Sequence, residues 1–175
     1  GDTDAQREVL RWGTGSTQSG YTLVDNTSFT SAAGNAVALN QLFQVGTFTH
    51  NNFPVGGSPL NFTDLTLSFN VVINGVTTNV PFTIRLDHTE TPNTSTPTDD
   101  ASRDIITLPT SSSTINIAGQ NYVVNFNGFR DANGNLVTQI FTQEQQASSF
   151  GIFASITTVE PLPTATDWAP EAIAF

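Results

Sequence analysis

The stretch from Asn61 to His88 constrains the fold most, because two alternating apolar runs flank the pair Asn74-Gly75. An Asn-Gly pair in this setting is a strong hairpin signal, since a type I′ turn needs positive φ at both central residues. The predicted partners are Ile73 with Val76, Phe69 with Val80, Leu67 with Phe82, Leu65 with Ile84, and Asn61 with His88. All apolar partners fall on one face, so the hairpin predicts a sheet with one buried side.

The rest of the chain also has strand character, divided by turn signals such as Ala33-Gly34-Asn35 and Ala118-Gly119-Gln120. Further strands are predicted at 8–12, 21–30, 36–49, 104–108, 114–118, 121–129, 136–142 and 150–159. Residues 8–12 alternatively belong to a short helix capped by Thr3. We expect an all-β fold: a single-domain antiparallel β-sandwich, jelly-roll-like, with about nine or ten strands and little helix. A closed barrel is the alternative.

The two ends of the chain differ from the body that they flank. We expect the sandwich at residues 13–160, an N-terminal segment 1–12 that serves as an inter-subunit strand, and a Pro-rich C-terminal tail 161–175 that docks on another subunit. Both ends carry apolar residues that have no evident partner in the body. These candidate assembly residues are Val9, Leu10, Trp12, Trp168, Ile173 and Phe175.

The charge balance excludes some partners. Five arginines and no lysine stand against fifteen acids, so the net charge is −10, and nucleic-acid binding is not expected without cations to replace counterions. The sequence contains no run of 18 apolar residues, so no membrane span is predicted. With no cysteine, disulfide and thiolate chemistry are excluded. The absence of methionine indicates a start at a processing site, and the Thr- and Asn-rich composition is typical of secreted β proteins, so we expect an extracellular or cell-surface location.

Both histidines stand where a strand runs into a polar turn that ends in proline. His50 precedes Asn51-Asn52-Phe53-Pro54, and His88 precedes Thr89-Glu90-Thr91-Pro92. Together, His50, His88 and Glu90 are a candidate zinc or calcium site at one rim of the sheet. In the structural alternative, both side chains hydrogen-bond loop backbone. A metal-dependent hydrolase would need both histidines on one centre, and no Ser or Cys lies in a recognisable nucleophile elbow.

Other motifs offer weaker sites. The run from Asp131 to Asn135 resembles the first half of a calcium loop, but Thr142 stands where a bidentate Glu belongs, and a tight turn explains the run better. Three sequons, at Asn26, Asn61 and Asn93, make covalent glycans possible partners. Thirteen Phe against two Trp and two Tyr disfavour an aromatic sugar-binding face.

Several motifs together resemble a known family. They are Arg11-Trp12-Gly13, Ser19-Gly20, Gly46-Thr47-Phe48-Thr49-His50-Asn51-Asn52-Phe53-Pro54, His88-Thr89-Glu90-Thr91-Pro92-Asn93 and Phe150-Gly151-Ile152-Phe153-Ala154. This set resembles the choice-of-anchor K, or THxN, domain of bacterial extracellular proteins. The resemblance implies a secreted or surface-displayed domain, usually followed by an anchoring tail, with no established catalytic activity. No such tail is evident after residue 160, which favours either a removed anchor or self-assembly.

The sequence as a whole therefore predicts a non-enzymatic extracellular structural protein. We expect a subunit of a surface filament or layer, whose partners are other copies of itself joined by donor-strand-like exchange of terminal segments. The alternative is a calcium- or glycan-binding cell-surface module that uses the rim around the two histidines.

Overall fold

A computed structural model describes residues 7–14, 16–26, 38–73, 75–92 and 99–159. These residues form eleven strands and one short 3-10 helix, Asp100–Ser102, with no α-helix among them. The strands are β1 Arg7–Trp12, β2 Ser19–Asp25, β3 Leu42–Asn52, β4 Phe62–Ile73, β5 Val76–Thr89, β6 Asp104–Thr107, β7 Ser111–Ile117, β8 Gln120–Arg130, β9 Leu136–Val137, β10 Gln139–Thr142 and β11 Gln146–Thr158. No helix within these ranges is long and apolar enough to cross a membrane.

The strands form two antiparallel sheets. The larger, seven-stranded sheet has the order β1-β2-β3-β11-β8-β7, with β9 paired to β8, and the smaller, four-stranded sheet has the order β10-β6-β5-β4. One cluster of apolar side chains is buried with both sheets contributing, including Phe48, Phe126 and Ile152 from the larger sheet and Ile84 and Leu86 from the smaller one. The predicted all-β antiparallel sandwich is confirmed.

The β4–β5 hairpin has the predicted register. Leu65 lies opposite Ile84, and Ile73 lies opposite Val76. Gly75 has a φ of 78°, as a tight turn at this position requires, whereas Asn74 lies outside the described residues. At the open end, the backbone N–H of His88 donates to the carbonyl of Asn61 at 2.8 Å. The turn therefore fixes which residues of β5 face the core, His88 among them.

Strand β8 contains a bulge that the alternation pattern does not reveal. The pairing of β8 with β11 places Gly128 opposite Phe153 but Phe126 opposite Ala154, so Asn127 is the extra residue. One extra residue reverses the face that later side chains occupy. Phe126 and Phe129 are consequently both buried, although they are three positions apart.

The prediction of one strand over 136–142 is wrong, because the chain changes sheets at Thr138. Strand β9 pairs with β8 of the larger sheet, and β10 pairs with β6 of the smaller one. Between them, the carbonyl of Thr138 accepts a hydrogen bond of 2.8 Å from the N–H of Leu108. This split also explains why the strand count exceeds the predicted one.

At the N-terminus, residues 8–12 belong to a strand and not to a capped helix, because β1 pairs along its length with β2 of the same chain. Among the described strands, β1 is the edge of the larger sheet. The predicted tail 161–175, with Trp168, Ile173 and Phe175, lies outside the described residues. Its docking role stays a prediction.

Candidate metal centre between the two sheets

The two histidines meet at one end of the sandwich. His50 lies on β3 of the larger sheet and His88 on β5 of the smaller one, and their ring centroids are 5.3 Å apart. His50 is 0% exposed and His88 is 5% exposed. The hypothesis that they share one centre, made from two separate strand ends, agrees with this geometry.

Strand periodicity carries both imidazoles into the interior. On β3, Phe48, His50 and Asn52 occupy successive core-facing positions, and on β5 His88 follows Ile84 and Leu86 on the same face. The apolar residues before each histidine anchor the strand. Each imidazole is thereby held in place by the core.

One ring nitrogen of His50 has a hydrogen-bond partner, and the other has none. Its Nδ1 lies 2.7 Å from the hydroxyl of Thr142, and that hydroxyl donates to the carbonyl of Asp104 at 3.5 Å. The hydroxyl oxygen of Thr142 can accept the Nδ1–H of His50, and in this tautomer the lone pair of the ring is on Nε2. Nε2 is buried and has no hydrogen-bond partner.

His88 contacts polar groups on both sides of its ring. Its Nδ1 forms a hydrogen bond with the hydroxyl of Tyr21. Its Nε2 lies 3.3 Å from Oε2 of Glu90 and 3.6 Å from Oδ2 of Asp104. This nitrogen therefore faces two carboxylates.

Asp104 occupies the centre of the site. It is 0% exposed, and its Oδ1 accepts a 2.9 Å hydrogen bond from the N–H of Thr91. Its Oδ2 is buried and accepts no hydrogen bond. Such a carboxylate oxygen is costly to bury unless a cation compensates it.

Two overlapping groups of potential ligands share Asp104. Ligand atoms of His50, His88 and Asp104 lie within 4.8 Å of one another, as do those of Glu90, Asp104 and Glu144. We call these five residues the histidine–carboxylate cluster. Of the predicted trio, His50 and His88 group with Asp104, whereas Glu90 groups with Asp104 and Glu144 and lies 3.3 Å from His88. Metal binding by His50, His88 and Glu90 stays a prediction.

Trp12 packs on the cluster from the end of β1. Its indole stacks on His50 with ring centroids 5.6 Å apart, and it contacts His88 edge-on at 5.3 Å. This candidate assembly residue thus packs inside its own subunit. Of the other two on β1, Leu10 is 37% exposed and Val9 is half-buried.

Burial and mutual charge separate the pKa values of the cluster. Burial, assisted by nearby His88, lowers the pKa of His50 to about 3. Burial also disfavours the charged form of His88, but the carboxylates of Asp104 and Glu90 outweigh it and raise the pKa of His88. For Glu144, burial followed by the charges of Asp104 and Glu90 raises the pKa to about 7. His50 is therefore neutral, as a metal ligand must be.

Asp131 closes a turn with its own carboxylate. Its Oδ1 accepts from the backbone N–H of Asn133 at 2.9 Å and of Asn135 at 2.7 Å. These hydrogen bonds, led by that from Asn135, lower the pKa of Asp131. The hairpin-turn interpretation of this run accounts for these contacts.

The sequons occupy different surroundings. The side-chain amide of Asn26 donates to the carbonyl of Gln44 at 2.8 Å, so its nitrogen is already used. Asn61 is exposed at the open end of the hairpin. Asn93 lies outside the described residues, and glycosylation stays a prediction.

Sequence reasoning missed Asp104, Glu144 and Thr142. Asp104 begins β6 opposite Thr142 at the end of β10, and neither position carries a local motif. Only the pairing of β5, β6 and β10 brings them to His88, so the missing information was the strand order.

Comparisons with known proteins leave the chain without an assigned family. No protein-family model matches it, and no curated protein matches it. The resemblance to the choice-of-anchor K domain therefore stays a prediction.

Proposed function

We propose that this chain is a non-enzymatic, metal-binding β-sandwich module of an extracellular protein. His50, His88 and Asp104 supply two imidazoles and one carboxylate to a divalent ion. Nitrogen and oxygen donors in this combination suit zinc and similar first-row metals.

The observation that carries the proposal is the buried, unpartnered Nε2 of His50. Buried polar groups are nearly always hydrogen-bonded, and an exception needs an explanation. Thr142 directs the other nitrogen of this ring, as the partners of metal-bound histidines commonly do. A metal ion would satisfy both this lone pair and Oδ2 of Asp104.

The burial of the site supports a structural ion over a catalytic one. His50, His88 and Asp104 are each at most 5% exposed, so a substrate would have little access to an ion there. A structural zinc ion takes four ligands, so a further carboxylate of the cluster or a buried water would have to complete the three that His50, His88 and Asp104 supply. The ion would join the two sheets, since His50 and His88 lie on different ones.

The test is a zinc titration of chelator-treated protein by calorimetry and thermal unfolding. At about 100 times the Kd, binding to the folded state adds about 2.7 kcal/mol, which corresponds to roughly 5 to 10 °C for a chain of this size. The variant His50→Gln should lose most of this gain, and Glu8→Gln, which changes an exposed carboxylate on β1, should keep it. An unchanged melting temperature at saturating zinc, or wild-type affinity in His50→Gln, would refute the proposal.

Self-assembly into a filament or layer is the second candidate, favoured by an open cleft between β1 and β4. The cleft has a volume of about 390 Å³, and its lining includes Leu10, Tyr21, Leu23, Phe48 and Leu65. Among the described strands, β4 ends the smaller sheet with an unpaired edge. An extended segment from a second copy could pair with β4 and fill the cleft.

A charge in the cleft tests this second candidate. Leu10→Asp should abolish assembly seen by electron microscopy and light scattering. Val24→Asp is the matched control, because Val24 is 42% exposed against 37% for Leu10 and is not among the residues lining the cleft. Equal assembly of the two variants would remove the cleft from consideration.

A further inference from the structure

We propose that the histidine–carboxylate cluster binds two cations, a zinc-like ion on its histidine side and a calcium-like ion on its carboxylate side, with Asp104 bridging them. This inference rests on the proposed function, because the first ion is the one assigned above to His50, His88 and Asp104. The second ion would be held by Glu90, Asp104 and Glu144.

The carboxylate side has its own ligand geometry. Oxygens of Glu90, Asp104 and Glu144 lie within 4.8 Å of one another, and Asp104 and Glu144 are 0% and 2% exposed. Each carboxylate can bind one or two oxygens to a cation. Three of them approach the six to eight oxygens that calcium takes, with water completing the shell.

Unsatisfied oxygens support a binding site on this side. Oδ2 of Asp104, which would bridge the two ions, is fully buried and accepts no hydrogen bond, although Nε2 of His88 lies 3.6 Å from it. Oε1 of Glu90 is also buried and without a partner. Burying two carboxylate oxygens that accept no hydrogen bond is costly, and a cation held between Glu90 and Asp104 would compensate both.

The types of donor atom indicate which kind of ion each side of the cluster would bind. Imidazole nitrogen favours zinc and other transition metals, and carboxylate oxygen favours calcium and magnesium. The side chain of Glu90 is 13% exposed, whereas His50 is fully buried. The second ion would therefore approach from the Glu90 side and exchange more readily than the first.

The backbone near Glu144 is consistent with a positioned ligand. Glu144 belongs to the turn between β10 and β11, and the next residue, Gln145, has a φ of 61°. Residues other than glycine adopt this left-handed conformation mainly in tight turns such as this one. The turn holds Glu144 close to Asp104.

The experiment measures metal stoichiometry. Chelator-treated protein is titrated calorimetrically with zinc, with calcium, and with calcium after zinc saturation, at about physiological ionic strength to suppress weak surface binding. We expect one zinc and one calcium per chain, bound together. Glu144→Gln should weaken calcium binding at least tenfold and leave zinc affinity within threefold, whereas His50→Gln should do the reverse.

The control variant is Asp131→Asn, which changes the exposed calcium-loop-like turn and should leave both affinities unchanged. Calcium that displaces zinc, or fails to bind zinc-loaded protein, would overturn the two-ion inference while the zinc site stands. Wild-type calcium affinity in Glu144→Gln would also overturn it. If neither metal binds the wild-type protein, the proposed function itself fails.

Discussion

At the scale of single residues, Thr142 determines what His50 can do. Its hydroxyl lies 2.7 Å from Nδ1 of His50 and 3.5 Å from the carbonyl oxygen of Asp104. When the hydroxyl accepts the Nδ1–H of His50, the second nitrogen of the ring keeps its lone pair. Without the hydroxyl, the imidazole could change tautomer or rotate.

The variant Thr142→Val tests this dependence, because valine keeps the shape and removes the hydrogen bond. Zinc affinity should fall about 10- to 100-fold, as for other outer-shell partners, and metal-free protein should lose about 1 to 3 kcal/mol. Calorimetry and denaturant unfolding measure the two effects. Thr49→Val is the control on the outer face of β3, where the hydroxyl contacts Ser149. Equal zinc affinity in both variants would contradict the role of Thr142.

Glu144 makes the stability of the metal-free protein depend on pH. Its pKa is raised from 4.5 to about 7, by burial and then by Asp104 and Glu90. The folded state thus favours the protonated acid, and this contribution to stability is lost as pH rises between those two values. Glu144→Gln should therefore stabilise metal-free protein by about 1 to 2 kcal/mol at pH 8 and much less at pH 4, with screening reducing the effect. Urea unfolding at both pH values measures the difference, and an equal gain at both would contradict it.

Three of the five cluster residues, His50, His88 and Glu90, could be predicted from the sequence. Each histidine is followed by a polar turn, and the Asn-Gly turn places His88 on the core face of β5, so the sequence identifies both imidazoles. The sequence does not show that β6 and β10 bring Asp104 and Thr142 alongside. Long-range pairing depends on the whole core, so these residues carry no local signal.

At the scale of strands, the β8 bulge depends on Gly128. Its φ is 129°, and an added Cβ would lie 2.4 Å from the carbonyl oxygen of Val137. The close approach of β9 leaves no space for a side chain. Only glycine therefore allows β9 to pair with β8 while Phe126 and Phe129 both face the core.

Gly128→Ala should lower the free energy of unfolding by about 3 kcal/mol or more, from steric overlap added to backbone strain. Gly134→Ala is the matched control. It has a φ of 84° with nothing within 4 Å of an added Cβ, so it should cost only about 1 to 2 kcal/mol for the left-handed conformation. Denaturant unfolding compares them, and similar losses would show that the contact with Val137 is unimportant.

Strands that are defined by local interactions could be predicted from the sequence, and strands that are defined by long-range pairing could not. The β4–β5 hairpin is encoded by adjacent residues, and its register was predicted residue by residue. The change of sheet at Thr138 depends on β6 and β8, which are separate in sequence, and a continuous pattern from Leu136 to Thr142 concealed it. The sequence therefore predicts the turn between adjacent strands, but it does not predict which sheet a strand joins.

At the scale of the whole molecule, the histidine–carboxylate cluster joins elements that are far apart in the chain. Its members extend from His50 on β3 to Glu144 beyond β10, and Trp12 of β1 packs on them. Both sheets must therefore be in place before the ligands converge.

This separation has a kinetic consequence. The hairpin can form early from local contacts, whereas the ligands meet only when distant strands have paired, which is late in folding. Interactions absent from the folding transition state slow unfolding and leave the folding rate nearly unchanged. Zinc should therefore shift only the unfolding limb of a stopped-flow chevron, so the bound ion would prolong the lifetime of the finished fold without helping the chain to reach it.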